Sequence, residues 1–514
     1  MKKKVLLLLI SIIVLISCHG VLSNKQEKIS STPKYKKDFI IAQKSDVKTL
    51  DPQRSIDTVS NHVIDAMFEP LVKLDIDGNI QPALATSWER LDECTMLFHL
   101  REGVKFHNGD TLSPEDVKYS LEKAAVSPQT SYLLNMIKEV EIVDSNSVKI
   151  ITSYPFYPFG ALLKHLASTA ASIVNKKAAT LAGEEFFKNP VGTGAFTFES
   201  WIAGDRITLN SFKDYWGEKP KVEKVIFRSI PEVSNRMIAL ETEEIDASFD
   251  IGIMDREALI NHKDLSLIEV ESSAQLYLSF DQTNPLFKDI RVRQAISYAI
   301  DNKTLAEAVF RGSASPANSP LPSAVAGHKD IDYYKQNIEL AKKLLAEAGY
   351  PNGFPLKLWV NDESTRVDMC VIIQGQLKEI GIDVDIEVFE WGTFLTKTLE
   401  HNKPLYLFSW SGSTGDADGI LYPMFHSSQR DVSANRSNYF SPKVDSLLDM
   451  ARTSIDEEKR LSLYKEAQEE IQKDLPHYTL VYNKLNMGIN KKVKGLTLSS
   501  TGDINLADIS ILEN

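Results

Sequence analysis

Between residues 338 and 388 the chain changes hydrophobic period, and that change constrains the fold more than any other feature. Leu340, Ala341, Leu344, Leu345 and Ala348 fall on one helical face, which Gly349 and Pro351 then stop. Val367 to Ile380 is a second helical run. Ile382, Val384, Ile386 and Val388 then alternate with Asp383, Asp385 and Glu387, the pattern of a half-exposed strand. Phe39-Ile40-Ile41-Ala42 reads as a buried strand, Leu50-Asp51-Pro52 as a turn, and Val59 to Leu71 as a helix. Met96 to Leu100 alternates like a strand. Ser113-Pro114-Glu115-Asp116 predicts a capped helix reaching about Ala125. Leu461, Tyr464, Ala467, Ile471 and Leu475 mark a late helix that Pro476 breaks. Strands and helices alternate throughout, so the class is α/β. No internal repeat is evident. Roughly 480 mature residues exceed what one core can hold, so two or three domains are expected.

The first residues are not part of that body. Lys2, Lys3 and Lys4 precede an apolar run from Val5 to Ile16, shorter than the ~20 residues of a membrane span. It ends Leu15-Ile16-Ser17-Cys18, which resembles a bacterial lipobox and implies cleavage before Cys18 and lipid on its thiol. Residues 1–17 are then a signal peptide. The polar stretch 18–36 is a flexible tether. The expected location is extracytoplasmic, anchored by lipid to the cell membrane or facing the periplasm. No other run approaches a span.

A hydrophobic content of 43% with 25% charged residues fits a large folded body. The formal charge is −12, and −15 without the three leader lysines. Such a chain is a poor nucleic-acid binder, which needs clustered Lys and Arg. Cys94 and Cys370 are expected to be buried free thiols.

The chemistry concentrates in Leu405 to Phe425. An apolar run, 405–408, leads to Trp410, a small polar loop with Ser413 and Thr414, and two carboxylates, Asp416 and Asp418. Such a loop presents an aromatic face, hydroxyls, free N–H groups and negative charge together, the parts that hold a small polar molecule bearing an ammonium group. An ordinary turn with Asp416 and Asp418 capping the next segment is the alternative. A zwitterionic peptide also needs a base for its carboxylate. Arg366, at the start of the helix after Trp359-Val360-Asn361-Asp362, is the candidate. Tyr277 lines either a cleft or a core. Lys44 and Ser45, after the first strand, are further candidates.

Catalytic constellations are missing. There is no GxSxG, HExxH or Cys-x-x-Cys motif, and the ten histidines show no metal-ligand spacing. His99 and His107 read as structural. Asp75-Ile76-Asp77-Gly78-Asn79 lacks the closing glutamate of an EF-hand and reads as a hairpin turn. Asn189-Pro190-Val191-Gly192-Thr193-Gly194 reads as a domain-crossing turn, not a phosphate loop. The remaining enzyme alternative is a lipid-anchored glycoside or peptide hydrolase using Asp416 and Asp418. The expectation is a binder with no cofactor and no bound metal.

Several segments fall in a set order along the chain: Thr49-Leu50-Asp51-Pro52, Phe68-Glu69-Pro70-Leu71, Leu84 to Trp88, Phe98 to Gly109, Pro114 to Val117, Pro190 to Gly194, Arg291 to Ile296, Ala299 to Asp301, Ala346 to Phe354, Gln376 to Ile382 and the Trp410 loop. Together they resemble the extracellular solute-binding proteins, family 5, of peptide-type ABC importers. The resemblance implies a two-lobed periplasmic-binding-protein fold, class II, with an extra domain inserted in the N-terminal lobe. Lobe I would comprise 37–72, 191–272 and a return at 493–514, the inserted domain 73–190, and lobe II 273–492. The chain would cross near Ser273 and Lys492.

It also implies a monomer that captures a small peptide and delivers it to permease subunits with cytoplasmic ATPases. The run Trp410 to Asp418 is most similar to the glutathione-binding branch. Dipeptide- and oligopeptide-binding members usually carry an aspartate three residues after the tryptophan, where it meets the peptide ammonium. That position is Ser413 here, which shifts the acidic role toward Asp416 or Asp418. Nickel-chelate and haem binders share the fold and stay open as alternatives.

Overall fold

Two long antiparallel strands, Leu265–Ser279 and His477–Asn490, run side by side through the body and organise it. In the computed structural model, residues 35–513 are described except 56, 156–158, 332–333, 413, 431–433 and 455. The leader, Cys18 and Ser413 therefore lie outside the described residues. Residues 265–271 pair with 484–490, and 275–279 pair with 477–482. Between these stretches Ser272, Ser273 and Ala274 stand opposite Asn483 alone, a bulge. Serine hydroxyls satisfy the backbone there. Ser272 Oγ donates to the Asn483 carbonyl at 2.7 Å, and Ser273 Oγ to the Gly412 carbonyl at 2.7 Å.

The described residues form one eleven-stranded sheet around this pair. On one side follow Leu405–Ser411, Pro355–Asn361 and Asp383–Phe389. On the other follow Ala247–Phe249, Asp38–Gln43, Lys224–Ser229, Arg206–Ser211 and Phe196–Ile202. Ala314–Pro316 also pairs with His477–Asn490. Pro355–Asn361, the helix Ser364–Lys378 and Asp383–Phe389 form a parallel crossover unit, as their periods predict.

Period two also divides the core here. Leu276, Leu278, Leu358, Val360, Leu405 and Leu407 pack into one cluster, while Tyr277, Trp359, Tyr406 and Phe408 enter another. The other half has its own core around Phe39, Val63, Phe98, Val117 and Phe196. That core is shared with a separate four-stranded antiparallel sheet of Ala85–Arg90, Thr95–Leu100, Ser147–Thr152 and Ile137–Asp144. The helix Pro114–Val126 starts at a capping box of Ser113 and Asp116, as expected.

Some expectations change in detail. The helix read over 59–71 is Thr58–Met67. It stops because Pro70 disfavours helical backbone before it and Phe68 is already extended. Cys370 is buried, and burial pushes its thiol up to about 12. Cys94 is only half-buried, a correction, because it sits in the turn before Thr95–Leu100. Both are free thiols. The 75–79 segment is a hairpin turn in which Asp75 Oδ1 accepts from the Asp77 and Asn79 N–H groups at 3.0 and 2.8 Å. At 192–194 the chain presses on the end of the helix Thr58–Met67. The Gly194 N–H donates to the Met67 carbonyl at 2.9 Å, and a Cβ on Gly192 would lie 2.1 Å from that oxygen.

Candidate functional site

Thr58, Asn61, His62 and Asp65 recur three and four residues apart on the helix Thr58–Met67, opposite the apolar Val59, Val63, Ile64 and Met67. That polar stripe lines a cavity of about 380 Å³. Lys164, Ser168 and Thr169 close one wall, Thr501, Asp503 and Asn505 another, and Ser411 reaches it from the end of Leu405–Ser411. The volume suits a small peptide-sized ligand. A hollow of about 100 Å³ shares Leu74, Lys164 and Thr501 with it and adds Thr414 and Gly415.

The groups on this wall differ in how they are satisfied. Glu69 accepts from Trp216 Nε1 at 2.8 Å, Tyr215 Oη at 2.8 Å and Thr193 Oγ1 at 2.9 Å. Burial raises its carboxyl, against those three donors. His62 stacks on Phe249 with centroids 3.9 Å apart, and its Nε2 meets the Gly502 carbonyl at 3.1 Å. Burial brings its pKa down to about 4, so the ring is neutral at pH 7. Asp65 is enclosed by protein, yet its surface stays accessible because it faces the cavity. Burial and then the Asp503 charge push its carboxyl well above the ordinary range, against a hydrogen bond from Thr169.

The carboxylates of the Trp410 loop have internal partners. Asp418 accepts from Arg452 Nε and Nη2 at 2.9 and 3.1 Å, and from Tyr464 Oη at 3.3 Å. Burial raises the Asp418 carboxyl, but Arg452 and His165 outweigh it and hold the group below the ordinary range. Asp416 pairs with Arg460, and its Oδ1 also accepts the Asp418 N–H at 2.9 Å at the start of the helix Asp418–Phe425. Lys164 stands 3.9 Å from Asp416, and His165 3.8 Å from Asp418. Thr414 is buried, and Trp410 Nε1 donates to the Gly419 carbonyl at 3.2 Å.

Arg366, on the helix Ser364–Lys378, reaches the strand Leu405–Ser411 at a different point. It donates to Ser409 Oγ at 2.9 Å and Asn361 Oδ1 at 3.0 Å, pairs with Glu363 at 2.9 Å and covers the Trp391 ring at 5.7 Å. Tyr277 is fully buried, stacked on His477 at 4.3 Å. Lys44 pairs with Asp250 at 3.2 Å, and Ser45 follows it in a bend. The structure thus gathers Asp416 and Asp418 with Arg452, Arg460, Lys164 and His165, and sets Arg366 with Ser409 and Trp391.

Sequence reasoning missed Asp65, Asp503, Lys164 and the two arginines. The polar stripe at 58, 61, 62 and 65 was a usable signal for Asp65. His99 and His107 are structural, meeting Ser147 Oγ at 3.2 Å and the Gly194 carbonyl at 3.0 Å. Among the described residues, no group of three or more His, Cys, Asp or Glu could hold a metal ion.

Paired long strands running through a mixed α/β body, with solved structures of transporter-associated binding proteins superposing along nearly its whole length, define a two-lobed, class II binding protein. The profile of the bacterial extracellular solute-binding proteins, family 5, matches residues 79–431, and the chain belongs to that family. It is 31% identical over 471 residues to the glutathione-binding protein GsiB of Salmonella typhi, covering 89% of this chain and 91% of the relative. The Helicobacter pylori periplasmic binding protein DppA, solved with the peptide STSA, superposes with a TM-score of 0.81 at 30% identity, over 93% of this chain and 99% of that one. NikZ of Campylobacter jejuni, solved with Ni(L-His), superposes at 0.79 and 27% identity, over 91% and 97%. This is a solute-binding protein of an importer family and not an enzyme. The hydrolase alternative for Asp416 and Asp418 is set aside.

Proposed function

We propose that this chain is the lipid-anchored substrate-binding subunit of an ABC importer, capturing glutathione or another small peptide and handing it to the membrane permease. The observation that carries this reading is the cavity of about 380 Å³ on which the helix Thr58–Met67, the 501–505 segment, Lys164 and the end of the Trp410 strand converge. Its size, its mixture of carboxylates, hydroxyls and a lysine, and the likeness to a glutathione-binding protein support a zwitterionic ligand. In this reading the lobes divide at 37–72 with 191–272 and 493–514 against 273–492, with 73–190 inserted. The bulge at Ser272, Ser273 and Ala274 is the natural joint. Of the sequence candidates, Thr414 lines the smaller hollow beside the cavity, and Asp416 and Asp418 pin that loop through Arg460 and Arg452; Arg366, Tyr277, Lys44, Ser45 and Trp410 support the cleft from outside the cavity wall, and Ser413 lies outside the described residues. Lipid on Cys18 holds the protein, as a monomer, near its permease.

Thermal unfolding with a panel of ligands tests this. Glutathione or dialanine at a hundred times its dissociation constant should stabilise the fold by about 2.7 kcal/mol and be recovered unchanged. Likeness to the nickel-histidine binder supports a second reading, capture of a nickel chelate in the same cavity. A response to nickel with histidine, and none to either peptide, would replace the first reading by the second.

A further inference from the structure

The charges around the cavity do not balance. Glu69 is held by three donors, and Lys73 acts on it. Lys164 leans away toward the Asp416 carboxylate and the Gly415 carbonyl, at 3.9 and 3.4 Å. Asp503 accepts the hydroxyls of Thr501 and Ser499 at 2.5 and 3.3 Å, and has no ion pair among the described residues. Asp65 is hydrogen-bonded by Thr169 and likewise has no ion pair among the described residues. Its accessible surface is the wall of the cavity. His62 is neutral and contributes no counter-charge. Asp65 and Asp503 therefore face this space with no ion pair of their own, while the two lysines that line it, Lys73 and Lys164, act on Glu69 and Asp416. Asp416 and Asp418, by contrast, are already matched by Arg460 and Arg452.

We propose that Asp65 is the ammonium receptor of this protein: the cavity selects ligands by a positively charged group set against the Asp65 carboxylate, with Asp503 adding a second negative charge. The inference rests on the capture role proposed above, and it moves cation recognition from the Trp410 loop to the helix Thr58–Met67. A ligand ammonium adds a positive charge and donates to the carboxylate lone pairs that the Thr169 hydroxyl alone leaves unsatisfied. The raised carboxyl of Asp65, pushed up by burial and then by the Asp503 charge, fits a group with no ion pair of its own among the described residues.

Calorimetry on the full chain in detergent micelles, wild type and Asp65→Asn, tests it. The probes are glutathione, dialanine, the N-acetylated form of each, and 1,4-diaminobutane as a cation without a peptide. Asparagine keeps the shape and removes the charge. Free-amine probes should lose about thirtyfold or more in affinity in the variant, and the acetylated probes should lose nothing further. Wild type should already bind the acetylated peptides more weakly, a comparison that needs no variant. Equal binding of free and acetylated peptides to wild type, or an equal loss of both in the variant, overturns the assignment while the capture role stands. Asp65-dependent binding of the diamine without any peptide binding upholds the assignment and sinks the peptide reading. Absence of binding by every probe to wild type overturns both.

Discussion

Asp65 faces the cavity with an accessible surface and Asp418 is buried, and their surroundings give them opposite titrations. Asp418 lies against Arg452 and stays ionised, so its stabilisation is present above the unfolded carboxylate pKa of ~3.9 and is lost as pH falls through its lower folded value. Asp65 holds its proton to higher pH when folded than when unfolded. Stability is therefore lost as pH rises from ~3.9, where the unfolded chain ionises first. Asp65→Asn escapes this loss. Its melting temperature should match wild type near pH 3.5 and exceed it at pH 7, with the gap opening as pH rises, measured by scanning calorimetry of both proteins. Asp418→Asn should do the reverse. It leaves Arg452 enclosed without its charge, a cost of about 3–5 kcal/mol, read as a lower urea midpoint with an unchanged slope. The acids of the Trp410 loop were legible in the sequence; their condition was not. Arg452 and Arg460 lie on later helices, 34 and 44 residues from their partners, and no local pattern ties such separations together.

Elements were more legible than partners. The switch from period 3.6 to period 2 places the helix Ser364–Lys378 and the strand Asp383–Phe389 because each element must bury one face, and that requirement is written in neighbouring residues. The end of Thr58–Met67 was read too late, because the run of apolar residues continues past the point where Pro70 forbids the helix. Its polar stripe was also in the sequence, but solvent and a cavity call for the same residues. The glycines at 192 and 194 show the same limit. Their spacing suggested a turn, while the reason for them is a close approach to Met67 from a distant part of the chain. Gly192→Ala must move that backbone. It should cost about 1–3 kcal/mol or more, seen in denaturant unfolding, whereas Gly78→Ala in the open hairpin turn meets no atom and should cost only its backbone strain.

At the scale of the molecule, the two long strands carry one sheet through both halves, and the bulge at Ser272, Ser273 and Ala274 is where they lose register. Closure of a two-lobed binder about such a joint should appear as a smaller radius of gyration in X-ray scattering when glutathione or dialanine is added. Lys164 and His165 face Asp416 and Asp418 near this cavity, so Lys164→Ala should shift the scattering of the ligand-free protein toward the more open form. Beyond the described residues, Cys18→Ala should abolish labelling by radioactive palmitate and leave the melting temperature of the body unchanged. Retained label would remove the lipid anchor from the account.

What the sequence alone determined was everything that neighbouring residues decide: the α/β class, most helix starts and strand periods, the hairpin turn at 75–79, and, through an ordered set of short motifs, the family. Each is a local requirement, a face to bury or an end to cap, and it leaves a local trace. Tertiary structure alone decided which carboxylates are matched and which are left facing a cavity. Charge balance depends on groups brought together across the chain, Asp416 with Arg460, Asp418 with Arg452, and Asp65 with Asp503, and it leaves no trace in the spacing of neighbours.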